Sequence, residues 1–395
     1  MKNLIKQPKS IFEVSDKSNW NVLKFDDIAS NISERAEPQK TDAKIYVGLE
    51  HLDSNSIHIR RYGKPADVKG TKLKVYKGDV IFGKRRAYQR KAALAEFDGI
   101  CSAHAMVLRA NPENMDPRLF PFFIHSEIFM SRALQVSEGS LSPTIKWKIL
   151  KDQKFTIPPL ATQKEMVKLL EAMDKNIEAK LDSLNKTLIT QASLLYKFFK
   201  DDNTTEKPLG LFIREYRNGF AEGSRDSDGV FQIRMNNITK QGNLDFTESA
   251  FVPKRKGYEN FLLKKNDVLF NNTNSPDLVG KSALWNEQIK EAVFSNHFTR
   301  LRTEESTLLP KYLHLWLTLN FTDGEFKRRC VRWVNQASVK SDDLLSMKIS
   351  VPSIKIQLLR LEKFEQLEIL AGQLESSIEK TRELLFSLNN NIYEL

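Results

Sequence analysis

Only two cysteines occur in 395 residues, Cys101 and Cys330, far apart and outside any Cys-x-x-Cys pair. That excludes a disulfide framework and an ordinary structural zinc site, and a reducing cytoplasm is the expected compartment. Long apolar runs are missing too. None approaches the roughly 18 to 20 residues a membrane span needs. The opening Met1-Lys2-Asn3-Leu4-Ile5-Lys6 lacks the apolar centre of a signal peptide. The chain is expected to stay where it is made, with no membrane partner.

Catalytic signatures are also absent. There is no Gly-rich phosphate loop, no Gly-x-Ser-x-Gly elbow and no His-Glu-x-x-His helix. Asn274-Ser275-Pro276-Asp277 comes nearest to the tetrad with which methyltransferases hold a flipped base, and it lacks the aromatic. Glu178-Ala179-Lys180 and Glu325-Phe326-Lys327 fit the acid-x-Lys triplet of metal-dependent nucleases, but neither follows a Pro-Asp on a predicted strand. His104 and His297 stand alone in their surroundings and are read as satisfied structural histidines. No catalytic residue and no metal ligand is assigned. Two alternatives stay open: a nuclease or methyltransferase with an unrecognised site, and a basic coiled-coil scaffold without sequence preference.

What is present is positive charge. The formal net charge is +11 and the isoelectric point near 9.3, in a globular balance of 41% hydrophobic and 28% charged residues. From Arg60 to Lys91 twelve Lys or Arg residues face two acids, Asp67 and Asp79. Such clustering favours a polyanion, because each neutralised phosphate releases condensed counterions.

The chain also repeats itself. Tyr46 to Leu52 echoes Phe231 to Ile238; Gly78-Asp79-Val80-Ile81-Phe82 echoes Asn266-Asp267-Val268-Leu269-Phe270; Cys101 to Arg109 echoes Phe294 to Arg302. Thr144-Ile145-Lys146 through Pro158 and Gln163 matches Ser338-Val339-Lys340 through Pro352 and Gln357. Four echoes in the same order indicate duplication. Each half reads as short strands bounded by turn residues, then a helix, then a last strand ending at Ile-Pro or Val-Pro.

A long helix follows each proline. Met166, Leu170, Met173, Ile177, Leu181, Leu184, Leu188, Ala192, Leu195 and Phe199 form a stripe at nearly 3.6 residues per turn. Leu367, Ala371, Leu374, Ile378, Thr381, Leu385, Leu388, Ile392 and Leu395 form a heptad seam. Neither rod can leave its stripe in water, so the two are expected to pair antiparallel through Leu170, Met173, Ile177, Leu181, Leu184, Leu188 and Leu195 against Leu374, Ile378, Leu385, Leu388 and Ile392.

The predicted fold is α+β: two tandem domains of mixed β-sheet with helices, separated by two long helices in an antiparallel coiled coil. The boundaries fall at residues 1–160 and 201–355 for the domains, and 161–200 and 356–395 for the helices. DNA contacts in the first domain are placed at Arg60, Arg61, Lys84, Arg85, Arg86, Tyr88, Gln89, Arg90 and Lys91. Arginine can take guanine bidentately, glutamine suits adenine, and the remaining cations suit phosphates. In the second domain they are placed at Arg217, Arg225, Arg234, Asn236, Lys254, Arg255, Lys256, Asn271, Asn272, Asn274 and Lys281. Its loop after Phe270 carries amides and no arginine, and its charge lies elsewhere, including Lys327-Arg328-Arg329 and Arg332.

The tandem plan, the run from Gly78 through Tyr88 to Ser102, Ile157-Pro158-Pro159-Leu160 with Gln163, and Val351-Pro352 with Gln357 together resemble a specificity subunit of a Type I restriction-modification system. The resemblance implies two target-recognition domains, each reading one half of a split double-stranded DNA target, with the helices as a ruler. It also implies partners: two modification subunits that use S-adenosylmethionine on adenine, and a restriction subunit driven by ATP and magnesium. The chain itself would be non-catalytic and bind no cofactor.

Overall fold

A computed structural model describes residues 17–140, 142–200, 205–334 and 336–393. The expected start of the first domain at residue 1, the boundary at 200/201 and Leu395 of the heptad seam lie outside the described residues. The chain divides into two compact units, residues 1–181 with 376–395, and residues 182–375. The division passes through both long helices, Leu160–Phe199 and Ile354–Tyr393, so each unit owns part of each.

The duplication read from the sequence is a duplication of topology. In the first unit Ala29–Ile32, Ala105–Ala110, Val80–Gly83 and Ala92–Leu94 form a four-stranded antiparallel sheet in that order. The second unit builds the same sheet from Ile213–Asn218, Phe298–Thr303, Val268–Asn271 and Ser282–Leu284. Beside it each unit places a parallel pair, Tyr46–Val47 with Gly99–Cys101 and Val230–Ile233 with Ala292–Phe294. Strands Val80–Gly83 and Val268–Asn271 are buried throughout, as central strands covered on both faces should be. Helices Phe120–His125 and Pro310–Thr322 cover the sheets and bury mostly aromatic and leucine side chains.

Three devices recur in both units and explain the echoed motifs. The residue before the buried aspartate, Gly78 or Asn266, is left-handed at φ +96° and +72°. Glycine meets no steric penalty there, and asparagine is one of the few other residues that tolerates it. Asp79 and Asp267, each 1% exposed, cap their own turn by accepting from Tyr76 N and Lys264 N. Each then receives an arginine of the neighbouring strand bidentately, Arg109 at 2.7 and 3.0 Å and Arg302 at 2.6 and 3.0 Å.

The third device is the glutamine that follows the proline. Gln163 and Gln357 are fully buried at the start of the long helices. Gln163 Oε1 accepts from Asp116 N at 2.7 Å, and its Nε2 donates to Asn114 O and Pro158 O at 2.8 Å. Gln357 does the same with Leu309 N, Thr307 O and Pro352 O. A carboxylate could not donate, and an apolar residue would strand three main-chain groups.

Within each unit the long helices run antiparallel. In the first, Met166, Val167 and Leu170 share a core with Ile392 and Tyr393, and Lys180 Nζ donates to Thr381 Oγ1 at 2.9 Å. In the second, Leu195, Phe198 and Phe199 share a core with Leu361 and Phe364. The heptad seam of the second helix holds through Ile392. The 3.6 stripe expected for the first does not: Leu188 is 45% exposed and Ala192 is exposed, while Thr187 and Gln191 turn inward. A paired helix must present its seam every 3.5 residues, and a 3.6 stripe drifts off it by ~20° per heptad. The corrected seam is polar near its middle, at Lys180, Thr187 and Gln191.

Candidate nucleic-acid interface

In the first unit the buried strand Val80–Gly83 delivers the chain to the basic loop. Arg86 and Arg90 both adopt left-handed backbone, φ +51°, on either side of the short turn Ala87–Gln89. Such conformations cost a non-glycine residue on the order of 1 kcal/mol and persist only where the surroundings impose them. Here a small hairpin does so. Ser137–Glu138 pairs with Thr144–Ile145, and that hairpin in turn grips the loop through Arg86 N to Pro143 O and Ile145 N to Lys84 O, both 2.9 Å.

The loop sorts its side chains into two sets. Arg85, Arg86 and Tyr88 point outward, with Tyr88 57% exposed. Arg90 turns inward to Asn55, Glu127 and His125 O at 2.7–2.8 Å, Gln89 is half-buried, and Lys91 Nζ donates to Leu49 O. Arg60 is exposed and is tied to Glu178 and Ser56. Arg61 is exposed and pairs with Asp53. Of nine residues placed at this interface from sequence, the structure gathers Lys84, Arg85, Arg86 and Tyr88.

Beside them lies a groove of about 610 Å³ whose lining includes Arg35, Lys72, Lys84, Lys146 and Trp147 and no carboxylate. Glu138 reaches Lys146 at one end. Burial holds the Lys84 ammonium below its ordinary pKa. His104 is exposed, not the satisfied structural histidine expected, and its Nε2 lies 3.4 Å from Arg85 Nη1. Partial burial, then Arg85, Lys84 and Lys72, lower its pKa, so beside Arg85 the ring is neutral at pH 7, with one donor and one acceptor to offer. Arg35, Lys72, His104 and Lys146 were missed from sequence because strand pairing brings them here from four separate segments.

The second unit repeats the frame with other side chains. Its loop amides are tied into the fold: Asn271 is fully buried and donates to Thr273 O and His297 O, Asn272 donates to Thr299 Oγ1, and Asn274 donates to Asn271 Oδ1. Lys281 is 6% exposed, its ammonium held by Met235 O at 2.9 Å and by Ile238 O. These four residues support the loop from inside rather than face a ligand. Asn236 pairs with Glu248, Lys254 with Glu291, and Arg255 with Glu222. Arg225 lies on the carbonyls of its own turn, and Arg217 stands over the Phe261 ring. Arg234 and Lys256 are exposed.

Among the described residues one cluster has donors close enough for a cation: His58, Asp174 and Glu178, within 4.8 Å of one another. Arg60 already lies on Glu178, and His58 Nε2 meets Asp174 Oδ2 at 2.8 Å, so the cluster is internally neutralised. It lines a cavity of about 590 Å³ that mixes arginines with acids, unlike the cationic groove.

The family model described as Type I restriction modification DNA specificity domain matches residues 17–186 and 228–381, most of the chain. The EcoDI specificity subunit of a type I restriction enzyme from Escherichia coli is 26% identical over 214 residues, 52% of this chain and 47% of that protein. The aligned part thus spans about half the length of that relative. Among solved structures, the type I restriction-modification S subunit from M. genitalium shares 13% identity at a TM-score of 0.57, covering 95% of this chain and 96% of that one. A chain from a study of complex assembly and conformational transition of the type I R-M system shares 19% identity at a TM-score of 0.58, with the same coverage. These structural likenesses show the fold. On the match of the family model in both halves, the chain belongs to the Type I restriction modification DNA specificity domain family.

Proposed function

We propose that the chain is the non-catalytic DNA-reading subunit of a Type I restriction-modification complex, each unit recognising one part of a bipartite target. The observation that carries this reading is the cationic groove of the first unit, lined by Arg35, Lys72, Lys84 and Lys146, with the exposed Arg85, Arg86 and Tyr88 following Lys84 on a loop held in left-handed backbone. Arginines there can take guanine bidentately, and Lys72 and Lys84 can neutralise phosphates. The length of the two helices sets the unread gap. Methylation and cleavage belong to partner subunits that bring S-adenosylmethionine, ATP and magnesium. Two modification subunits dock on the outward faces of the long helices, where Ile189 and Tyr196 of the first and Ile356, Leu359, Ile369 and Leu384 of the second are 42–61% exposed.

The test is selection from a random duplex pool by the chain co-expressed with a modification subunit. Two short unrelated motifs at a constant gap are expected. Binding without any motif, lost steeply as salt rises, sinks the reading. Removing matched turns near Ile177–Leu184 and Ile378–Leu385 should change the gap and leave both motifs intact.

A further inference from the structure

The second unit contains a hairpin that violates the chemistry of its own position. Val331–Arg332 pairs with Ala337–Ser338, and Trp333 N donates to Gln336 O at 2.7 Å to close the turn. Hairpin tips face water and normally carry Gly, Asn, Asp or Ser. Here Val331, Trp333 and Val334 are 44%, 58% and 98% exposed. A single exposed apolar residue needs no explanation, but three within four positions on a tight turn do.

The collar around this tip is cationic. Lys327, Arg328, Arg329 and Arg332 lie within six residues. Glu325 answers Arg328 and Arg329, and Asp277 answers Lys327. Lys327 first, then Lys240 and Arg332, hold the Asp277 carboxyl below its usual range.

Its place in the fold is equally informative. Strand Ala337–Ser338 also pairs with Thr273–Asn274, the loop after the buried strand. The first unit sets its hairpin against the same loop, but there the loop carries the arginines and Tyr88 while the hairpin carries Ser137, Glu138, Gly139 and Ser140. The second unit reverses the arrangement. Its loop amides are consumed internally, its hairpin carries Arg332 and the aromatic, and the helix Glu325–Arg329 leading into the hairpin carries the other three cations.

We infer that the hairpin of strands Val331–Arg332 and Ala337–Ser338, with the cationic helix Glu325–Arg329 that precedes it, is the DNA-contacting element of the second unit, and that Trp333 with Val334 is a wedge that opens a base-pair step. The inference rests on the DNA-reading role proposed above. An indole stacks on any base, apolar wedges unstack duplex steps, and flanking cations hold the phosphates on either side. The collar holds four cations against the two acids Glu325 and Asp277, an excess that a purely apolar partner does not neutralise, whereas a duplex suits tip and collar together.

The experiment uses the full-length chain and a duplex recovered from the random pool by the wild type. On that duplex Trp333→Ala should bind about tenfold or more weakly, and Trp333→Phe within about threefold. Thermal unfolding should not move, since the ring is exposed. Independently of any variant, 2-aminopurine placed at successive positions should brighten at one step when the wild type binds. If the wild type selects its motifs but Trp333→Ala binds within about twofold and no step brightens, the wedge is wrong and the DNA-reading role stands. If the wild type selects no motif, the DNA-reading role falls, and the wedge falls with it.

Discussion

The two units share a skeleton and differ in where they put their chemistry. Both begin the central strand with a left-handed residue and a buried aspartate, and both lock the long helix with a buried glutamine. In the first unit the loop after that strand is cationic and exposed. In the second the same loop amides are internally bonded, and the cations lie on the helix Glu325–Arg329 and the hairpin that follows it. The lesson is that the frame is held by buried polar pairs that tolerate little change, while the two segments resting on it exchange roles freely.

The sharpest way to break the comparison is at the shared aspartates. Asp79 answers Arg109, whose side chain is 46% exposed, so water can solvate that guanidinium if the partner is lost. Asp267 answers Arg302, 15% exposed, and lies 3.9 Å from Arg300, 2% exposed. Glu215 still bonds both arginines when Asp267 is lost, so Asp267→Ala should cost about 3 kcal/mol, the low end for breaking a buried pair, and Asp79→Ala about 1–2 kcal/mol. Urea unfolding of the two variants reads the difference directly. Equal losses would mean that burial of the arginines does not decide the matter.

Next in size is an effect in which the units should behave alike. His125 is buried and His314 half-buried on the two covering helices, and desolvation lowers each to a pKa of about 4, with Arg90 and Lys311 adding to it. Both are neutral in the fold and near 6.5 when unfolded, so the unfolded chain takes up the protons first. Stability is full above about pH 6.5 and falls as pH drops, levelling off below about 4, by up to about 3 kcal/mol per histidine. Urea midpoints at pH 7 and 4.5 for His125→Gln and His314→Gln should each show a smaller acid loss than the wild type. If either variant keeps the full loss, that histidine is not its source.

Smaller again is the asymmetry in the loops themselves. Arg85→Ala with Arg86→Ala should weaken DNA binding about 100-fold and erase one motif in selection. Asn272→Ala with Asn274→Ala should change affinity less than about threefold while lowering the melting temperature, because those amides hold the loop together. If the asparagine pair erased a motif at full stability, the reversed arrangement inferred for the second unit would collapse.

How much of this was legible beforehand follows from the range of the interactions. The duplication, the heptad of the second helix and the basic loop are local patterns, and the sequence showed all three. The seam of the first helix went astray at Leu188, because apolar spacing within one helix does not contain the partner that sets the 3.5 period. The groove was invisible for a similar reason. Arg35, Lys72, His104 and Lys146 are separated by up to about a hundred residues, and only strand pairing joins them. The amides of Asn271 and Asn274 look the same in sequence whether they face a base or a carbonyl.

The smallest effect concerns a tie that the first unit has through its own loop. His58 sits at the end of the segment 53–60 and bonds Asp174 of the long helix, with Glu178 and Arg60 beside it. The bond to Asp174 raises the His58 pKa above 6.5. A raised pKa makes the tie complete below the unfolded value and weaker as pH climbs through the folded one. The acid-sensitive histidines therefore pull stability down at low pH while His58 pulls it down on the alkaline side, and only the first unit feels both. His58 is partly exposed, so its share is screened, and His58→Gln should cost no more than a surface ion pair, about 0.2–1 kcal/mol at pH 6 and less at pH 8. Hydrogen exchange of amides 53–60 at the two pH values reads the tie locally: protection should fall from pH 6 to pH 8, after correction for the intrinsic rate, in the wild type but not in His58→Gln. Protection that is pH-independent in both would leave Arg60 and Glu178 as the whole of the tie.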